Sequence, residues 1–342
     1  MRFMFLALAG LLSLTFSAPA HADDGVITLR VHHFLGPKSA THARMIVPWA
    51  RRIEQRMGGK VRFEIYPSMT LGGKPPQLIN QARDGIVDIV WTLAGYTAGR
   101  FVRTEVFELP TVHEGDPVAT NLAIAELYDS QLAREYKGLH KLLIHVHQGQ
   151  AFHMRTPPIN KLEDLKGLKL RTPNRTGGWM IEALGAAPVG MPVPAVPLAL
   201  SRGVVDGALL PFEVTLPLRI HEMVKSHMEF PGGVRFGTAV FLFMMNKARY
   251  EGLPADLRAA IDAESGEDFA REMGKLWLAE EDRGRKAAIE YGNPVTVLSP
   301  EETARFREAM TPVLTRWLKE TGTQGLSLIK QARAAIARHS GQ

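Results

Sequence analysis

The stretch "QARDGIVDIVW" (81–91) joins the end of one element to the start of another. Pro75 and Pro76 upstream suit a helix start. Gly85 suits its end, because glycine enters the left-handed region that closes a helix without a side-chain penalty. The apolar residues that follow read as a buried strand. Working outward, "ITLRVHHF" (27–34) and "KVRFEIY" (60–66) read as strands flanking a helix, whose Met45, Ile46, Trp49, Ile53 and Met57 recur at three-to-four spacing. This βαβαβ alternation predicts an α/β lobe.

The second half repeats the phrase. "AVPLALSRGVVDGAL" (195–209) again runs helix, glycine, strand, and "RGVVD" (202–206) aligns with "DGIVD" (84–88). The echo predicts a left-handed glycine and a β-branched pair entering a buried strand in each place. It also predicts two lobes of similar construction, each with its own sheet. "KLLIHVH" (141–147) and "GVRFGTAVFLFMMN" (233–246) read as strands crossing between them. From Pro254 to Tyr291 the chain lacks proline, and Leu257, Ile261, Phe269, Met273, Leu276 and Trp277 recur at helical spacing. Unbroken, that helix would reach on the order of 55 Å and lie against both lobes. A last amphipathic helix carries Phe306, Met310, Leu314 and Trp317. The expected layout is a signal peptide at 1–22, one lobe from 23–148 plus 236–275, a second from 149–235 plus 276–320, a helix over about 254–291 spanning both, and a C-terminal tail at 321–342.

The first residues stand apart. Arg2 precedes the apolar "FMFLALAGLLSLTFSA", which ends in "AHA" before Asp23 and Asp24. A basic start, a short apolar core and small residues at a cleavage site describe a secretory leader cut near Ala22, and the run is short for a membrane span. The remaining chain, expected in the periplasm, has room for two domains of ordinary size and no other spanning segment. Without cysteine, neither disulfides nor thiol chemistry are available. Losing Arg2 lowers the net charge from +6 to +5. The basic residues are scattered among acidic ones, a balance that favours small acidic ligands over nucleic acid.

Enzymatic signatures are missing: there is no G-x-S-x-G elbow, P-loop, G-x-G-x-x-G or H-E-x-x-H. The nearest approach to a metal set is His145, His147 and His153 in "HVHQGQAFH", which reads more simply as hydrogen-bonded or surface histidines, so no metal or cofactor is expected. His33 and Phe34, at the end of the first strand, stand where open α/β sheets bind ligands. Arg171 is more informative. In "EDLKGLKLRTPN" (163–174), Gly167 closes a polar helix, "LKLRT" alternates like a strand and Pro173 stops it. A permanently charged fork at a strand end would project into the crevice between lobes, where it needs an anionic partner. That partner is either an internal Asp or Glu, or a ligand carboxylate.

The chain resembles the solute-binding subunits of tripartite ATP-independent periplasmic (TRAP) transporters, the dicarboxylate-type family, over about residues 27–330. The likeness is carried by "GGKVRFEIYPSMTLGG" (58–73), "QARDGIVDIVW" (81–91), "FELP" (107–110), "INKLEDLKGLKLRTPN" (159–174), "LGAAPVGMPVPAVPLALSRGVVDG" (184–207) and "LPADLRAAIDA" (253–263), in that order. The resemblance implies two α/β lobes closing over a ligand held by Arg171, with delivery to integral-membrane subunits. It also places Trp91 and Asn174 at the pocket, with Lys74 in a further pocket-facing position. Sialic-acid-type members have an arginine near the position of Ala151 or Phe152, a glutamate at Leu93 and an asparagine at Leu210; Arg155 lies close enough to substitute for the first. Phe212 follows just beyond. Burying polar ligand groups without partners forfeits roughly 1–3 kcal/mol per group. The expected ligand is therefore a monocarboxylate with an apolar or aromatic body. The rival readings are an exported α/β enzyme using the 145–153 histidines and a sensor-type binding protein.

Overall fold

The computed structural model describes residues 25–155 and 158–341; the expected leader lies outside the described residues. Two sheets carry the fold. The first contains β1 (Ile27–His33), β2 (Val61–Tyr66), β3 (Ile89–Leu93) and β4 (Leu139–Val146). The second contains β5 (Ala151–Met154), β6 (Lys169–Thr172), β7 (Ala187–Gly190), β8 (Gly207–Leu210) and β9 (Ser226–Glu229). The chain then returns to the first sheet as β10 (Val240–Asn246) and ends in the second as β11 (Val295–Val297). The strand orders are β2-β1-β3-β10-β4 and β11-β9-β5-β8-β6-β7. Each sheet thus has a parallel βαβαβ block (β2-β1-β3 and β7-β6-β8) bordered by one antiparallel strand. That antiparallel strand, β10 or β5, is the one arriving from the opposite lobe.

The echo is structural. Gly85 and Gly203 both have positive φ, 74° and 68°. Asp88 accepts the Arg30 N–H of β1 at 2.7 Å, and Asp206 accepts the Lys169 N–H of β6 at 2.8 Å, so the two aspartates tie down equivalent strands. The β-branched pair does not enter the core together. Ile86 and Val204 are exposed while Val87 and Val205 are buried, because each strand begins only after its aspartate.

The crossings run through residues 147–150 and 230–239, between β4 and β5 and between β9 and β10. They pair with each other: Gln150 N–H donates to the Gly237 carbonyl, and Phe236 N–H donates to that of Gln150, both at 3.0 Å. The helix expected over 254–291 is two, Ala255–Ala263 and Glu267–Glu290. Tertiary contacts hold the break. Trp49 donates its indole N–H to Ser265 at 3.2 Å, and Arg52 and Arg56 grip Glu264 at 2.5 and 2.6 Å. The second of these helices buries Phe269 and Met273 beside the helix Pro117–Leu127 and sets Gly284 against the Phe212 backbone. The expected C-terminal tail, as far as residue 341, is packed and largely helical. Within Thr311–His339 the helix breaks at Gly322 (φ 60°), and the part beyond it buries Leu328, Ile329, Ala332 and Ala335 as the span packs on Pro117–Leu127.

Candidate functional site

Arg171 occupies the C-terminal end of β6, between Val189 of β7 and Ala208 of β8. Pro173 ends the strand, and Asn174 turns the chain into the helix Arg175–Ala183 by accepting the Gly177 N–H at 2.9 Å. The arginine is 1% exposed. Its Nε donates to the Met191 carbonyl and its Nη1 to that of Leu209, both at 3.0 Å. Nη2 has no partner, and Arg171 forms no ion pair among the described residues. Burial lowers its pKa to about 10, opposed by the neighbouring Tyr96 phenol, so it stays cationic at neutral pH. No Asp or Glu among the described residues neutralises it.

Its fork lines a cavity of about 30 Å³, room for little more than a water, so a ring-sized guest enters only as the lining moves apart. One wall is a row of rings. Tyr96 meets Phe34 at 5.4 Å, Phe34 meets Trp91 at 4.9 Å, Trp91 stacks on Phe241 at 4.8 Å and 12°, and His147 turns its edge to Phe241 at 5.6 Å. The antiparallel pairing of β10 with β3 creates this wall by setting Phe241 opposite Leu93 and Phe243 opposite Trp91. Leu93, Val193, Leu210, Val214 and Ala239 complete the apolar lining. Such a surface, with one buried cation, suits a flat apolar body carrying one negative group.

The polar lining is sparse: Arg171, Tyr96, His147, Gln150 and Glu213. Tyr96 accepts the Val193 N–H at 2.9 Å, which leaves its own proton available. Burial, with Glu281 and Glu280 nearby, pushes Glu213 up to about 8, so it is mostly protonated at pH 7 and does not compete for Arg171.

Of the residues singled out in the sequence, Arg171, Phe34, Trp91 and Leu210 line this cavity, as does Leu93. The others lie elsewhere. Asn174 faces the neighbouring outer cleft and spends its side chain on the helix cap. His33 pairs with His42 at 3.0 Å, and Phe152 packs edge-on against Phe236 at 4.7 Å. Phe212 turns away after Pro211, to His153 and His227. Lys74 is exposed, and Arg155 reaches back to the Val205 carbonyl at 3.5 Å.

Nor do the three histidines converge. The indole N–H groups of Trp91 and Trp277 meet the two ring nitrogens of His145 at 3.0 and 2.6 Å. His153 is taken up by His227 and the Leu210 carbonyl. No group of three or more metal-ligating residues occurs among the described residues. Tyr96, Gln150, Glu213 and Phe241 went unrecognised in the sequence. The only available signal was for Phe241, whose position in the second crossing strand places it near the crevice.

Residues 31–321 match the family model described as bacterial extracellular solute-binding protein, family 7. Two solved structures superpose with a TM-score of 0.89, each covering 92% of this chain and 99% of its own. One, 42% identical, is a TRAP solute-binding protein from Rhodoferax ferrireducens T118 in complex with copurified benzoate. The other, 39% identical, is a marine-metagenome TRAP solute-binding protein from an unidentified microbe, specific for aromatic acid ligands and in complex with 3-hydroxybenzoate. The C4-dicarboxylate-binding periplasmic protein of Rhodobacter capsulatus is 26% identical over 94% of this chain and 95% of its own.

Proposed function

Because this chain belongs to bacterial extracellular solute-binding protein family 7, and is a TRAP solute-binding protein, we propose that its ligand is an aromatic monocarboxylate. The observation that carries this reading is the unpartnered Nη2 of a fully buried, uncompensated Arg171 at a cavity walled by Phe34, Trp91 and Phe241. A carboxylate supplies the missing charge, with hydrogen bonds worth roughly 1.5–3 kcal/mol each. The rings supply stacking area. The aromatic acids bound by the two similar structures fit the same chemistry.

In this reading the protein is exported with its leader cut near Ala22, works in the periplasm and performs no covalent chemistry. The two paired crossings act as the hinge on which the lobes close, and the closed form is what the integral-membrane subunits accept. No helix of the described residues is long and apolar enough to cross a membrane.

Native mass spectrometry of freshly purified protein, followed by a thermal-shift screen, tests the assignment. Aryl carboxylates should raise Tm by several degrees and be displaced by one another. Stabilisation by sugar acids alone would overturn it.

A further inference from the structure

One buried polar atom, Oε1 of the cavity-lining Gln150, is left over once the carboxylate has been assigned to Arg171, and His147 lines the same cavity. Gln150, 0% exposed, donates through Nε2 to the Thr238 carbonyl at 3.4 Å, and its Oε1 has no partner. His147 accepts the Gly149 N–H on Nδ1 at 2.8 Å. Burial holds its pKa well below the usual imidazole range, so the ring is neutral and its single proton sits on Nε2. Both residues meet Thr238, whose carbonyl accepts from Gln150 and whose hydroxyl donates to the His147 main-chain carbonyl at 3.1 Å. Both line the ligand cavity, and His147 stands at the end of the ring row away from Tyr96.

Resting on the aromatic-acid reading above, we infer that Gln150 and His147 form a hydroxyl-reading pair, so that the acid this protein selects carries a hydroxyl on its ring. The chemistry is complementary. Gln150 Oε1 needs a donor, His147 Nε2–H can donate, and a hydroxyl answers both. An unsubstituted ring leaves Gln150 Oε1 buried without a partner, which is how a polar site rejects an analogue lacking one group. The crossing segment fixes the pair: the Gln150 backbone is bonded on both sides to residues 236 and 237, so its side chain is presented from a rigid ladder. A site meant only for benzoate would put an apolar residue at position 150.

Isothermal titration of the full mature chain with benzoate, 3-hydroxybenzoate and 4-hydroxybenzoate tests this. At least one hydroxylated acid should bind about tenfold or more tightly than benzoate, that is, by about 1.4 kcal/mol. In Gln150→Met, of similar volume and checked for folding by its melting transition, that preference should collapse to within about twofold. Equal affinity for all three acids in the wild type would overturn the inference and leave the aromatic-acid reading standing. So would an undiminished preference in Gln150→Met. No binding of any of the three would remove both.

Discussion

Replacing Arg171 by Met separates a ligand-binding role from a structural one, because the two predict opposite changes in the free protein. With ligand bound, the substitution removes the only cation in the cavity lining and one or two charge-assisted bonds at roughly 1.5–3 kcal/mol each. Affinity for an aryl carboxylate should fall at least about tenfold and, with two bonds lost, on the order of a hundredfold. Without ligand, the substitution removes a buried charge that has no anionic partner. An uncompensated charge of that kind costs about 3–5 kcal/mol. Against that gain stand two carbonyls, of Met191 and Leu209, that lose their donors at about 1 kcal/mol each. The free variant should therefore melt at the wild-type temperature or a few degrees above it, while ligand no longer shifts the transition. The assay is differential scanning calorimetry with and without benzoate, alongside titration. A free variant melting more than about 5 °C lower, yet still stabilised by ligand, would show that Arg171 serves the sheet rather than the guest.

Two further outcomes are expected. Glu213 ionises at about 8 in the folded protein, above its ordinary 4.5. It therefore contributes stability below pH 4.5 that drains away as pH rises towards 8, so chemical denaturation should show a stability lower at pH 8 than at pH 5, with a smaller difference in Glu213→Gln. A Cβ at Gly284 would lie 2.1 Å from the Phe212 carbonyl oxygen, so Gly284→Ala must push the helix Glu267–Glu290 off the second lobe. A loss of about 2 kcal/mol or more in urea denaturation is expected, and an unchanged midpoint would mean that this contact is slack.

Elements set by local pattern were legible. The 3.6 and 2.0 periodicities located β1–β3 and their helices, and the repeated glycine-to-aspartate phrase revealed two lobes of like construction. Arg171 stood out because a charge beside a strand-ending proline needs a reason. What remained hidden depends on contacts distant in sequence. Trp49, Arg52 and Arg56 hold the break in the long helix at Glu264–Ser265, where the adjacent Gly266 is the one local signal and is too weak to settle it alone. Gln150 looked like an ordinary linker residue, and His147 like one of three hydrogen-bonded or surface histidines, until the second crossing lay beside the first. Phe212 and Phe152 carry the right chemistry but face the wrong way. A 3-10 turn at 212–214 turns the first aside while Val214 lines the cavity, and pairing with Leu209 and Met228 fixes the second within its sheet.

The swapped antiparallel strands also set the order in which the molecule can assemble. β10 lies between β3 and β4, so the amino-terminal sheet stays in two pieces until residue 246 has left the ribosome. The other sheet acquires its final edge, β11, only at residues 295–297. Neither half can mature as an early nascent segment while the rest is still being made. A nascent chain stalled anywhere before its last third should remain open to proteases and chaperones, and cutting the gene at the midpoint should yield two insoluble fragments rather than two domains.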